Sequence, residues 1–175
     1  MNRFTFDEYE HRWNSLTAAL REQDDELALV WGKTAGSYER SGDLLYLTNF
    51  YSTQSGQEPD SPVWNACSFA ATLVAPNETP ELHVDDMSPD RVFSHFDVID
   101  GVARALKQRS PAGRVAVVGS DFLPVKYANQ LIATCPSIDF VHDDDLVRSL
   151  RRIKVPPNSI AFERQAPCAP KRSMC

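Results

Sequence analysis

The sequence predicts an α/β fold in which a mixed β-sheet is flanked by helices. In the first half of the chain, short strand-like runs follow one another, as in hairpins. In the second half, such runs alternate with amphipathic helical patterns, as in crossover connections. The length of 175 residues favours one domain. A chain of this size buries about two thirds of its unfolded surface, which is enough for a hydrophobic core.

Charge and composition exclude several classes of protein. The net charge of -6 and the pI of about 5.2 argue against a general nucleic-acid or anionic-membrane binder. No window approaches the roughly eighteen apolar residues of a membrane span, and residues 1–8 lack the apolar core of a signal peptide. The cysteines, which show no CxxC spacing, are expected to be reduced thiols in a cytoplasmic protein: Cys67, Cys135, Cys168 and Cys175.

The first element is a capped amphipathic helix that ends near Gln23. Thr5 and Glu8 have the spacing of a capping box. Apolar residues then recur at steps of three and four and predict the inward face: Phe6, Tyr9, Trp13, Leu16 and Leu20.

Strand-like runs occupy the next part of the chain. Residues 27–31 form an apolar run too short for a helix, which predicts a strand buried on both faces. Residues 44–48 and 68–75 are also expected to be strands. Residues 81–85 alternate polar and apolar side chains, which is typical of a second hairpin arm at a sheet edge. The irregular residues 49–65 form a loop long enough to be functional or disordered.

Helices and strands alternate in the second half. Helices are expected at 97–108 and from Pro124 to Cys135, and strands at 114–119 and 138–142. In the second of these helices, the residues expected to face inward are Val125, Ala128, Leu131 and Ile132. The last element is a helix with three aspartates at its start, arginines towards its end and Pro156-Pro157 as its stop.

Acidic and histidine side chains offer two candidate metal sites. The run Asp143-Asp144-Asp145 could bind a cation, but its place at a helix start favours capping. His83, Asp85 and Asp86 could also be ligands, although a closed site normally has four. We therefore predict no metal ligand and no cofactor.

Catalytic patterns are also absent from the sequence. Residues 118–121 join a strand to a helix without a GxGxxG or GxxxxGK[ST] motif. There is no GxSxG elbow, and the first strand lacks the carboxylates that a nuclease would use to bind divalent ions. We predict no catalytic residue in this chain.

The long loop is the remaining candidate site. Phe50 lies at its entry, and Tyr51 and Trp64 lie within it. These aromatic side chains could pack beneath the loop as a small cluster of their own. Alternatively, they could be surface anchors for a partner or ligand.

Two motifs resemble those of creatinase, prolidase and aminopeptidase P. Residues 46–50, Tyr-Leu-Thr-Asn-Phe, resemble the family's YLTGF-type signature, with Asn49 in place of glycine. Residues 146–156 resemble its LR-x-IKSP junction, with Val155 in place of serine. The likeness extends over roughly residues 4–166. It implies a ribonuclease-H-like α/β fold, that of the N-terminal domain which precedes a "pita-bread" domain with a two-metal site.

The resemblance implies a domain at residues 1–155, followed at 156–175 by a truncated linker helix and a divergent tail. It implies a non-catalytic oligomerisation or substrate-edge domain, with Phe50, Tyr51 and Trp64 as possible contacts to substrate or partner. The expected partner is a second copy or a pita-bread catalytic domain, and the face that such a partner covers should be apolar. The alternative is a fragment of a dinuclear-metal Xaa-Pro peptidase or creatinase-like hydrolase. A small-molecule-binding module that uses the long loop is a third hypothesis.

Overall fold

The computed structural model describes residues 5–33, 41–50, 69–84, 92–94, 98–110 and 112–153. Within these residues the helices are α1 (Phe6–Glu22), α2 (Gly42–Thr48), α3 (Val98–Arg109), α4 (Val125–Thr134) and α5 (Asp145–Arg152). The strands are β1 (Leu27–Lys33), β2 (Phe69–Val74), β3 (Glu81–Val84), β4 (Val92–Ser94), β5 (Arg114–Val118) and β6 (Asp139–His142).

The strands form one mixed sheet, in the order β4-β3-β2-β1-β5-β6. β1 pairs antiparallel with β2 and parallel with β5, and β6 continues the parallel part. The predicted α/β class with a mixed sheet is confirmed. The hairpin of β2 with β3 is also confirmed, but the edge position expected for β3 is wrong, because β4, which the pattern did not predict, pairs with its other side.

Helices cover both faces of the sheet. Alternate residues of β1 enter two separate hydrophobic clusters, so this strand is buried on both faces as expected. One cluster contains Leu29 and Trp31 and packs against α3 and α4. The other contains Ala28 and Val30 and packs against α1, α2 and α5. A leucine or valine buried in such a layer contributes about 1.5–3 kcal/mol relative to an exposed one.

The predicted strand at residues 44–48 is wrong, because these residues belong to helix α2. Leu44 and Leu47 lie three residues apart and are both buried, which is helical spacing. Thr48 donates its hydroxyl to the carbonyl of Leu44 at 2.7 Å. Asn49 ends the helix in the left-handed conformation, with φ of 56°, which asparagine adopts more readily than most residues. A short apolar run fits a strand and a helix equally well, and the signature residues adopt the helix.

The inward face predicted for α4 is only partly correct. Leu131 is buried, whereas Val125 is 75% exposed and Ile132 is 56% exposed. The helix contacts the core along a narrow stripe that continues to the buried Cys135. Among the described helices, none combines the length and apolar character needed to cross a membrane.

Candidate functional site

Phe50 is the one predicted contact residue that lies within the described part of the chain. It follows α2 directly, is half-buried, and packs against the cluster beneath α1 and α2. Its backbone N–H donates to the Thr48 hydroxyl at 3.2 Å. Tyr51 and Trp64 lie outside the described residues. The proposed contact role of all three therefore stays a prediction.

The candidate metal ligands have other partners where the structure describes them. His83 is buried, with its Nε2 atom 3.5 Å from a Glu81 carboxylate oxygen; Asp85 and Asp86 lie outside the described residues. Within the described ranges, no three His, Cys, Asp or Glu side chains are grouped as metal ligands. The described residues therefore do not provide the ligands of a two-metal site. The resemblance places such a site in the domain that follows this one.

The carboxylate of Asp144 joins α5 to the turn that follows β5. One of its oxygens accepts the backbone N–H groups of Gly119 and Ser120, both at 2.8 Å. The other accepts the Ser120 hydroxyl at 3.0 Å. Burial by itself would raise the pKa of Asp144, but the hydrogen bonds from Ser120 and Gly119 outweigh it and hold the pKa below its ordinary value. The turn after β5, which lacks the glycine-rich phosphate-binding motifs, thus binds a carboxylate from its own chain.

Two further features lie beside this contact: a glycine in the turn and a cap at the start of α5. Gly119 has φ of 85°, and a Cβ atom there would lie 2.3 Å from the carbonyl oxygen of Trp31, so only glycine fits. Asp143 caps α5, because its Oδ1 atom accepts the N–H groups of Asp145 and Leu146 at 3.1 and 3.0 Å. The capping interpretation of the aspartate run is therefore correct for Asp143. Asp144 has a tertiary role that the sequence did not reveal.

A buried arginine organises the outer side of α1 and α2. Arg12 is only 2% exposed, although the helical pattern placed it on the polar face. Its guanidinium lies over the rings of Tyr9 and Tyr46, at 5.0 and 4.4 Å from their centroids. It also pairs with Glu8 at 3.0 Å and donates to the carbonyl of Tyr46 at 2.8 Å. These partners satisfy its charge and its donors, which makes the burial tolerable.

Aromatic side chains surround this arginine and reach the protein surface. We define the aromatic surface as Phe6, Tyr9 and Trp13 of α1 with Leu45 and Tyr46 of α2. Trp13 donates its indole N–H to the carbonyl of Leu47 at 2.8 Å. The ring of Phe6 meets that of Trp13 edge-on at 5.7 Å, and Phe6 and Leu45 are 62% and 42% exposed. The sequence pattern predicted Phe6 as part of the inward face, and that prediction is wrong.

Comparison with solved structures identifies the architecture. The Xaa-Pro dipeptidase from Bacillus anthracis superposes with a TM-score of 0.63 at 14% identity, over 89% of this chain and 39% of the dipeptidase. A prolidase from Thermococcus sibiricus gives 0.63 at 13% identity, over 93% of this chain and 41% of the prolidase. The fold matches that of one part of these Xaa-Pro peptidases.

A third match fixes the extent of the similarity. An Xaa-Pro aminopeptidase structure from Streptococcus pyogenes gives a TM-score of 0.58 at 15% identity, and the match covers 84% of this chain and all of that chain. The chain therefore spans about two fifths of the two longer structures, consistent with an N-terminal domain. The resemblance drawn from the motifs is confirmed at the level of fold. No family model matches the sequence, and no curated protein matches it.

Proposed function

We propose that this chain is a non-catalytic domain that works through association, as an oligomerisation or substrate-edge element of the Xaa-Pro peptidase architecture. The superposition on solved Xaa-Pro peptidases supports the assignment of the architecture. The aspartates that looked most like metal ligands make contacts within the fold, and this observation supports a structural role. Asp143 caps a helix, and Asp144 binds the amides of Gly119 and Ser120. Both carboxylates thus have partners that serve the fold.

Association is the role that the aromatic surface supports. Its partner would be a second copy of the chain or a pita-bread catalytic domain. Phe50, Tyr51 and Trp64 would add contacts at the edge of that interface, in line with the resemblance. No cofactor enters the proposal, and the cytoplasmic compartment stays a prediction.

A hydrolysis assay tests the proposal. The purified protein is incubated with Xaa-Pro dipeptides and with creatine, in separate reactions that contain manganese, cobalt or zinc. A full-length prolidase in the same buffers is the positive control. We expect no turnover above the blank. Turnover that rises in proportion to the concentration of this protein would refute a non-catalytic role.

The coverage of the longer structures favours a second candidate function. Because the chain spans only about two fifths of the prolidase structures, it could be one part of a dinuclear-metal Xaa-Pro peptidase or creatinase-like hydrolase. Reading the coding sequence beyond the codon for Ala166 in all three frames tests this candidate. A reading frame for a pita-bread domain would support it, and the absence of one would eliminate it.

A further inference from the structure

The carboxyl ends of β1 and β5 meet at one edge of the sheet, where the course of the chain reverses. The two strands are parallel neighbours. The strand that follows β1 lies on one side of this pair, and the strand that follows β5 lies on the other. The helices that follow them, α2 and α4, pack on opposite faces of the sheet. In open α/β sheets, the crevice at such a switch point is the usual place for a ligand.

Three aromatic side chains meet at this edge, and we define them as the switch-point cluster. Trp31 lies near the end of β1, Phe69 begins β2, and Tyr127 lies in the first turn of α4. The ring centroid of Trp31 is 5.3 Å from that of Phe69 and 6.2 Å from that of Tyr127. Phe69 and Tyr127 meet edge-on at 5.7 Å and are only partly buried. The cluster therefore presents ring surface on which a planar group can stack.

The indole N–H of Trp31 is a donor without an acceptor in the part of the chain that the structure describes. Trp31 is only 1% exposed, so bulk water does not supply the missing acceptor. Native proteins contain few buried donors of this kind, because an unmade hydrogen bond destabilises the fold. Trp13, by contrast, donates its indole N–H to the carbonyl of Leu47 at 2.8 Å. An acceptor atom of a ligand would give Trp31 the partner that Trp13 already has.

Positive charge lies beside the switch-point cluster. The ammonium groups of Lys33 and Lys126 are 5.7 and 5.9 Å from the ring centroids of Phe69 and Tyr127. The start of α4 adds the positive end of a helix dipole, since it has no side-chain cap and no acidic residue in its first turn. The turn before α4 contributes one exposed acidic residue, Asp121. Two ammonium groups and a helix start therefore face one carboxylate, which favours an anion over a cation.

We propose that the switch-point cluster binds a small organic anion that carries a planar ring. The ring stacks on the partly buried aromatic side chains, the anionic group faces Lys33 and Lys126, and one acceptor atom takes the N–H of Trp31. A cationic ligand would meet two like charges, and a purely apolar one would leave the indole donor unsatisfied. This site goes beyond the proposed role in association and does not depend on it. It shares no residue with the aromatic surface of α1 and α2.

Titration with benzoate, followed through the tryptophan indole signals in ¹H–¹⁵N NMR spectra, tests the proposal. Benzoate combines a planar ring with an anionic group. The chain has three tryptophans, and the variants Trp31→Phe and Trp13→Phe assign two of the signals. We expect the Trp31 signal to move to lower field and to saturate, with a Kd of about 1 mM or tighter. The Trp13 signal should not move, because its N–H is already bonded to Leu47.

Two other probes separate the ring from the charge. Acetate carries the negative charge without a ring, and benzylamine carries the ring with a positive charge. Each should bind at least about tenfold more weakly than benzoate in the same titration. This result would show that ring and anion are both required.

A double lysine variant tests the charge without changing the core. Lys33→Met with Lys126→Met should weaken benzoate binding at least about fivefold, because it removes both ammonium groups. Lys107→Met is the matched control. Lys107 is exposed on α3 and acts on Cys135, which follows the far end of α4, so its removal should leave the affinity unchanged. Urea unfolding of each variant checks that the fold is intact.

Four results would overturn the inference. A Trp31 signal that does not move at about 10 mM benzoate would exclude the site. Equal movement of the Trp13 signal would indicate non-specific binding. Equal affinity for acetate or benzylamine would exclude the ligand class, and an unchanged affinity in the double lysine variant would exclude the role of the charge. None of these results bears on hydrolysis or association, so a failure here is distinct from a failure of the proposed function.

Discussion

Removing the carboxylate of Asp144 is the perturbation whose effect the structure defines best. Asp144→Ala removes three hydrogen bonds to a charged acceptor, and it leaves the N–H groups of Gly119 and Ser120 without that acceptor. A hydrogen bond to a charged group contributes about 1.5–3 kcal/mol when it is well buried. Because Asp144 is only partly buried, solvent can replace part of the loss. We expect the free energy of unfolding to fall by about 2–3 kcal/mol in total.

Urea unfolding followed by circular dichroism measures this change. With a urea dependence of about 2 kcal/mol per molar, the midpoint should fall by roughly 1 M and the slope should not change. Asp145→Ala is the matched control, because its carboxylate is 70% exposed and pairs only with the surface residues Arg148 and Arg152 in the contacts that the structure describes. Its cost should stay below about 0.5–1 kcal/mol. Equal costs for the two alanine variants would refute the assigned role of Asp144.

Acid should remove the advantage that the charge of Asp144 gives. Its pKa in the folded protein lies below the ordinary value, so its contribution is present above the unfolded pKa of about 3.9 and is lost as pH falls through the lower folded pKa. Asp144→Asn keeps an acceptor oxygen but not the charge. The difference in unfolding free energy between the unmodified chain and Asp144→Asn should therefore be largest near neutral pH and should close below about pH 4. A difference that does not change with pH would contradict the assignment.

The other variants probe the buried arginine and the two faces of α4. Arg12→Ala should destabilise the protein by about 2–4 kcal/mol, because it removes the ion pair with Glu8 and the ring contacts. The exposed Arg21→Ala, as its control, should cost less than about 0.5 kcal/mol in the same urea titration. Leu131→Ala should cost about 2–4 kcal/mol through the cavity it creates, whereas Ile132→Ala should be nearly neutral; the reverse order in thermal unfolding would contradict the orientation of α4.

The sequence predicts most of the sheet because its strands are apolar and bounded by turn residues. β1 is an example, since its short apolar run follows the helix-ending Asp24-Asp25 and is buried on both faces as expected. The capped helices α1 and α5 were also predictable, from Thr5 and from Asp143. These signals are local, and each lies within a few residues of the element it defines.

The errors arise where contacts distant in the sequence decide the structure. Residues 44–48 carry no local signal that separates a strand from a helix, and the packing of Leu44 and Leu47 under α1 decides for the helix. Arg12 looks like a surface residue until Tyr46, which lies 34 positions away, supplies its carbonyl and ring. Asp144 likewise looks like one more capping residue until Gly119 and Ser120, 25 and 24 positions before it, approach its carboxylate. Periodicity cannot reveal partners of this kind.

The candidate site was only partly predictable for the same reason. The sequence directed attention to the aromatic residues of the long loop, of which Phe50 alone is described. The aromatic surface on α1 and α2 has no linear motif, because α1 and α2 each contribute part of it. The spacing of apolar residues in α1 predicts that Phe6 faces inward, but Phe6 is exposed. Its exposure is known only once the neighbours of α1 are known.

Hydrogen exchange at two protein concentrations is the most direct test of a domain that works through association at its aromatic surface. Dilute and concentrated samples are compared peptide by peptide, and α4 is the internal reference. Slower exchange at high concentration should be confined to α1, α2 and the end of α5, as association there reduces local opening. Exchange that does not depend on concentration, or protection confined to α4, would contradict the account.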